Sequence, residues 1–186
     1  MAIPNEQRTE LLRLARKAVE AEVNGEPLPS DENPTGVLAE QRGVFVTLTN
    51  AGRLRGCIGT FRPTTPLAET VVEMASAATR DPRFTADPIT PQELDRLTVQ
   101  ISVLSPLEKT DHPEQLEVGK HGIYVVRGMR SGCFLPEVAT EMCWSAEEFL
   151  SYCCATKAGL PADAWQNKDT EVYLFTTEKF SDKDIS

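Results

Sequence analysis

The sequence is short of the features that mark whole classes of protein. Across 186 residues it has two histidines, 6% aromatic residues and no Lys/Arg block. Its formal charge is −9, from 19 basic and 28 acidic side chains. A protein that draws affinity from a phosphate backbone needs a positive footprint. Nucleic acid is therefore a disfavoured partner, as is an anionic membrane surface, and only a local basic pocket would escape this. No apolar run approaches the roughly 18 residues that a membrane-spanning helix needs. The opening MAIPNEQRTELL lacks an apolar stretch of signal-peptide length and carries acid early. The cysteines, Cys57, Cys133, Cys143, Cys153 and Cys154, form no CxxC pair. With so few histidines they give no zinc-ligand spacing. They read as reduced thiols of a cytoplasmic protein. No P-loop, GxGxxG or GxSxG is present, and neither a metal nor a cofactor is expected.

What is present is ordinary globular material, 40% hydrophobic and 25% charged. The length suits one domain, or one domain built from two lobes. Such a chain buries most of its apolar surface without disulfide staples.

Periodicity sorts the chain into elements. Leu11, Leu14, Ala15, Ala18 and Val19 fall on one stripe of a helix over Glu6–Val23, with Gly25 as its stop. Val44, Val46 and Leu48 share one face of a strand, Asn50-Ala51-Gly52 turns the chain, and RLRGCIGTF returns as a hairpin partner. Pro66 opens a helix to Thr79, and Asp81-Pro82 ends it. Thr90 and Glu93 form a capping-box pattern. Leu97, Val99, Ile101 and Val103 alternate in a half-buried strand. Residues 122–128 form another, with a turn at Met129–Gly132 and a short strand over 133–136. Ser145 and Glu148 cap a helix running to Lys157, and 171–177 is the last strand. Strands that pair with near neighbours in this way predict an α+β fold with antiparallel sheets.

One stretch carries chemistry. In LRGCIG (54–59), an unbroken strand would put Arg55 and Cys57 on one face. A guanidinium there favours the thiolate. Gly56 and Gly59 weaken a strand and call for a bulge or a close approach of ligand to backbone. A cysteine beside open backbone N–H groups is an activated nucleophile with a place for a developing anion. The competing reading is an inert thiol, because free cysteine is among the most buried residue types. Asp81 and Arg83 form a second constellation, an arginine whose fork is held by a neighbouring aspartate and offered to a carboxylate or phosphate. A surface ion pair at a helix end is the alternative. His121, next to Gly122 at a strand start, is a better candidate base than His112 in its polar loop. Glu137 is either an acid-base group or a first-turn glutamate favoured by a helix dipole. Cys153 and Cys154, on one helix with Phe149, read as packing.

In order along the chain, FVTLTNAGRLRGCIGTF, ASAATRDPRF (75–84), ELDRLTVQISVLSP (93–106), KHGIYV (120–125), FLPEVATE (134–141) and FLSYCCATKAGLP (149–161) resemble the AMMECR-type domain family, the AmmeMemoRadiSam system protein A. The likeness covers nearly the whole chain. It implies one domain over residues 1–186 with two lobes, a larger one holding both termini and a smaller inserted one. Antiparallel sheets flanked by helices are expected, with LRGCIG near a cleft between the lobes. The positions that match the signature are Arg55, Gly56, Cys57, Gly59, Asp81, Arg83 and His121. The family pattern often has glutamine where this chain has Glu137, which takes weight from Glu137 as an obligatory acid. The family name implies company with a radical SAM protein and a Memo-like protein, and such company does not by itself establish a chemistry.

Two functional expectations follow. In one, Cys57 is the nucleophile of a cytoplasmic enzyme or enzyme component, Arg55 tunes it, His121 moves a proton, and Gly56, Gly59, Asp81, Arg83 and Glu137 contact an anionic substrate. In the other, the cleft belongs to a binding or adaptor module that holds a small anion or a peptide without bond chemistry. Modification of nucleic acid is a third idea, opposed by the acidic charge.

Overall fold

Described over residues 2–183, the computed structural model realises these patterns as two α+β units. One is built from the chain up to Leu104 together with the stretch from Glu178 on; the other is Ser105–Thr177. In chain order the elements are α1 (Asn5–Asn24), β1 (Val44–Asn50), β2 (Arg53–Thr60), α2 (Leu67–Thr79), β3 (Leu97–Leu104), β4 (Glu108–Thr110), β5 (Gly122–Arg127), β6 (Arg130–Phe134), α3 (Pro136–Glu141), α4 (Ala146–Tyr152), β7 (Glu171–Phe175) and β8 (Thr177–Ser181). Short 3-10 turns and one π-helical turn, Cys153–Lys157, fill some of the connections.

In the first unit the sheet order is β2-β1-β3-β8. The expected alternation holds: Val44, Val46, Leu48, Val99 and Ile101 are fully buried. They meet the predicted stripe of α1 and the small residues Ala75 and Ala78 of α2 in one core. Each large apolar side chain buried there contributes about 1.5–3 kcal/mol relative to exposure. Gly25 stops α1 at φ +71°, and its N–H donates to Ala21 and Glu22. Pro66 stands just outside α2 as its N-cap, one residue earlier than expected.

The second unit carries the sheet β4-β7-β5-β6. Ile123, Val125 and Val172 pack against Phe149, Leu150, Cys153 and Cys154. The predicted capping box is present: Ser145 N–H donates to Glu148 at 2.9 Å, and Glu148 N–H donates to Ser145 Oγ at 3.2 Å. Three expectations are corrected. The β5–β6 hairpin is tighter, with Arg127 facing Arg130 across Gly128-Met129, because Gly128 takes φ +59° and lets the chain reverse in two residues. The helix after Ser145 loosens into a π-helical turn from Cys153. The final stretch is two strands, not one, since β8 joins the other sheet.

Candidate functional site

The geometry around Cys57 turns on one inserted residue. Asn50 pairs with Arg53 around the two-residue turn Ala51-Gly52. An unbroken ladder from that turn would set Cys57 against Val46, on the core face. Instead Thr49 faces Leu54 while Leu48 faces Gly56, so Arg55 is an extra residue on β2. A one-residue slip sends every following side chain to the opposite face. Cys57 therefore stands opposite Thr47, which is flanked on its other side by Gln100 of β3. The Thr47 hydroxyl donates to Cys57 Sγ at 3.2 Å. The thiol is half-buried, on the face of the sheet away from the apolar core. Phe45, on the same face, meets Phe61 edge-on at 5.0 Å.

The bulge also separates Arg55 from Cys57, against the expectation of a shared face. The Arg55 side chain is 2% exposed. It lies against Glu93, with Nε and Nη2 both donating to the carboxylate at 3.1 Å. Nη1 donates to Asp87 Oδ2 at 3.0 Å, and Nη2 to the carbonyls of Asp87 and Pro88 at 3.0 and 3.2 Å. Burial raises the Glu93 carboxyl, but hydrogen bonds from Asn50, Arg55 and Thr90 outweigh it and hold it below the ordinary value. Arg55 ties the segment 87–93 to the hairpin. It does not point its charge at the thiol.

Asp81 and Arg83 take the place beside Cys57 instead. β2 is an edge strand, so the outward N–H and C=O of Cys57 need partners. Asp81 Oδ2 accepts from Cys57 N–H at 2.9 Å, and Arg83 Nη2 donates to Cys57 O at 3.2 Å. The two side chains are themselves joined, Nε to Oδ1 at 3.0 Å and Nη2 to Oδ2 at 2.6 Å. Asp81 is buried while the Arg83 side chain is 58% exposed. One edge of the guanidinium is clamped and the rest faces outward. Because Asp81 occupies the Cys57 N–H, that N–H is not open to a ligand anion, contrary to expectation.

The Arg83 side chain, joined by the Cys57 and Arg83 backbone N–H groups, holds the Asp81 carboxyl well below the usual carboxylate range, against the opposing effect of burial. A carboxyl depressed on folding stabilises the folded state above its unfolded value of about 3.9, and that stabilisation drains away as pH falls below it. Asp81→Asn is therefore expected to cost about 1–3 kcal/mol at neutral pH. The gap to wild type should narrow steadily as thermal unfolding is followed from about pH 4 downward.

The two glycines serve packing. A Cβ on Gly56 would sit 1.9 Å from the carbonyl oxygen of Ala78 in α2. A Cβ on Gly59 would strike the Phe45 ring at 2.3 Å. The close approach anticipated for a ligand is made at both positions by the chain itself.

His121 and Glu137 belong to the second unit. His121 Nδ1 accepts from Glu117 N–H at 3.0 Å, so in the neutral ring the proton sits on Nε2. Glu137 is half-buried in the first turn of α3. His112 is solvent-facing, 3.5 Å from Glu114. Burial pushes the Cys133 thiol up to about 11 and raises Cys153 and Cys154 as well. The latter two are fully buried and Cys143 is exposed. Sequence reasoning missed Thr47, whose place beside Cys57 depends on the bulge, and Asp87, one of the two carboxylates on Arg55.

Comparison with known proteins agrees with this fold. The AMMECR1 family model matches residues 12–180, and the chain belongs to that family. It is 46% identical over 184 residues to Protein MK0488 of Methanopyrus kandleri, covering 94% of this chain and 87% of that one. A relative from Aquifex aeolicus is 40% identical over 183 residues, covering 94% and 92%. The crystal structure of the uncharacterised protein PH0010 from Pyrococcus horikoshii, 40% identical, matches with a TM-score of 0.82 over 96% of this chain and 93% of that one. Among the described residues no helix is long and apolar enough to cross a membrane.

Proposed function

We propose that the chain is a cysteine-dependent enzyme or enzyme component of the cytoplasm, with Cys57 as nucleophile or sulfur-handling residue. One observation carries the reading. A half-buried thiol, on the sheet face away from the apolar core, receives a hydrogen bond from Thr47, beside an outward-facing guanidinium fixed to the same residue by Asp81. A nucleophile needs both access and a fixed position, and a clamped Arg83 suits an anionic substrate group. Phe45 and Phe61 offer an apolar surface on the same face. The proton-carrying role proposed for His121 rests on the family resemblance. Partnership with a radical SAM protein and a Memo-like protein rests on the family resemblance.

The test is alkylation of the folded protein by iodoacetamide, read by peptide mass spectrometry. Modification at Cys57 and Cys143 with protection of Cys153 and Cys154 supports the proposal. Protection of Cys57 under the same conditions removes it.

A second reading, a binding module, is favoured by a specific feature. The Cys57 N–H already bonds to Asp81, so β2 offers no donor there to a developing oxyanion. In that reading Arg83 captures an anionic group and Cys57 only lines the site.

A further inference from the structure

The second unit contains a cavity that the reading above leaves without a role. It measures ≈ 420 Å³, within the range of about 300–1,000 Å³ that small-molecule sites occupy. It lies where the β4–β7 edge meets the loop at Asp111–Pro113 and the stretch Trp165–Thr170.

Its lining mixes polar and apolar surface, and several of its polar side chains are exposed and uncommitted. Lys109 is already paired with Glu171 at 2.6 Å. The side chains of Asp111, Gln166, Asn167 and Lys168 make no hydrogen bond or ion pair among the described residues. Thr170 is 8% exposed, and its Oγ1 is buried without a hydrogen-bond partner. Trp165 donates its indole N–H to Ser151 Oγ at 3.1 Å, which leaves only apolar parts of its ring to meet a ligand.

The charges decide between ligand classes. Lys109 and Glu171 cancel, and so do Lys168 and Asp111. A phosphate would meet two carboxylates, and a cation would meet two ammonium groups. Among the described residues no group of three or more His, Cys, Asp or Glu could hold a metal ion. A ligand that is neutral, and both donates and accepts, satisfies the whole set. Hydroxyl groups do this: Asp111 accepts, Lys168 donates, and the two amides do either. The C–H face of a ring then has Trp165 to lie against.

We propose that this cavity binds a neutral polyhydroxylated ring, a sugar or the ribose of a nucleoside, through Asp111, Gln166, Asn167 and Lys168, with Trp165 as its apolar wall.

Trp165 reports occupancy. In a Trp144→Phe background its fluorescence is titrated with D-glucose, D-ribose and adenosine, and with inorganic phosphate and glycine as charged controls. Saturation-transfer NMR on wild-type protein reads the same binding without the Trp144 change. A saturable response to any of the three polyols and none to the controls is expected. Glucose or ribose responding points to a free sugar, and adenosine alone to a nucleoside. Asn167→Ala should weaken that binding about tenfold, the loss of one hydrogen bond, while Tm holds because the side chain has no internal partner to lose among the described residues. The proposal is overturned if none of the three polyols binds, if a control alone binds, or if Asn167→Ala leaves affinity unchanged. Cys57→Ser should leave the response as it is, so this result stands or falls apart from the thiol chemistry.

Discussion

Gly56→Ala is expected to lower stability by at least about 3 kcal/mol, at or beyond the upper end for overpacked sites. That corresponds to a fall in Tm of about 6–12 °C. The added Cβ has backbone in front of it, since the Ala78 carbonyl oxygen would lie 1.9 Å away. No rotamer change relieves such a clash. Either β2 or the last turn of α2 has to move, and moving β2 carries Cys57 and the Asp81–Arg83 clamp with it. Thermal unfolding checks the stability, and loss of Cys57 alkylation selectivity would accompany it. A Tm within about 2 °C of wild type, less than 1 kcal/mol of change, would mean that α2 does not press on the hairpin as described.

The second large effect is at Glu93. Glu93→Ala removes the carboxylate that takes two hydrogen bonds from a guanidinium only 2% exposed. A buried charge stripped of a main partner costs about 3–5 kcal/mol. Arg55→Met removes the charge and keeps much of the packing, so it should cost less. In the double variant the buried charge no longer exists, and the two costs should fall well short of additivity. Urea unfolding of the four proteins measures this. Additive costs would show that Arg55 and Glu93 act independently.

The fold was largely legible because its strongest signals are local. Gly25, the two-residue turn after Asn50, the alternation from Leu97 to Val103 and the Ser145–Glu148 box each act through backbone chemistry within a few residues. β8 was not legible. In TEKFS only Phe180 is apolar, and its burial against the first unit's core depends on a sheet whose other strands lie far away in sequence. The site was legible in part. LRGCIG and DPRF stood out as residue combinations, and the structure joins them through Cys57 N–H and O. The glycines anticipate a bulge, but not its place, with Arg55 as the extra residue. An alternating pattern assumes an unbroken register, and one bulge exchanges the faces. It sets Cys57 opposite Thr47 on the face away from the core, and turns Arg55 from a tuning charge into a structural tie. The cavity at Trp165–Thr170 was also missed, although an aromatic followed by Gln166, Asn167, Lys168 and Asp169 in a single run is visible in the sequence.

The most direct measurement compares iodoacetate with iodoacetamide as alkylating agents at Cys57, in wild type, Arg83→Ala and Arg55→Met. The first reagent is anionic and the second neutral, and exposed Cys143 serves as the reference. If Arg83 faces the thiol's approach, it favours the anion by about 1 kcal/mol, or roughly fivefold. That preference should be present in wild type, absent in Arg83→Ala and retained in folded Arg55→Met. An equal ratio in all three proteins, or a Cys57 that neither reagent reaches, would contradict the assignment of this face as a functional site.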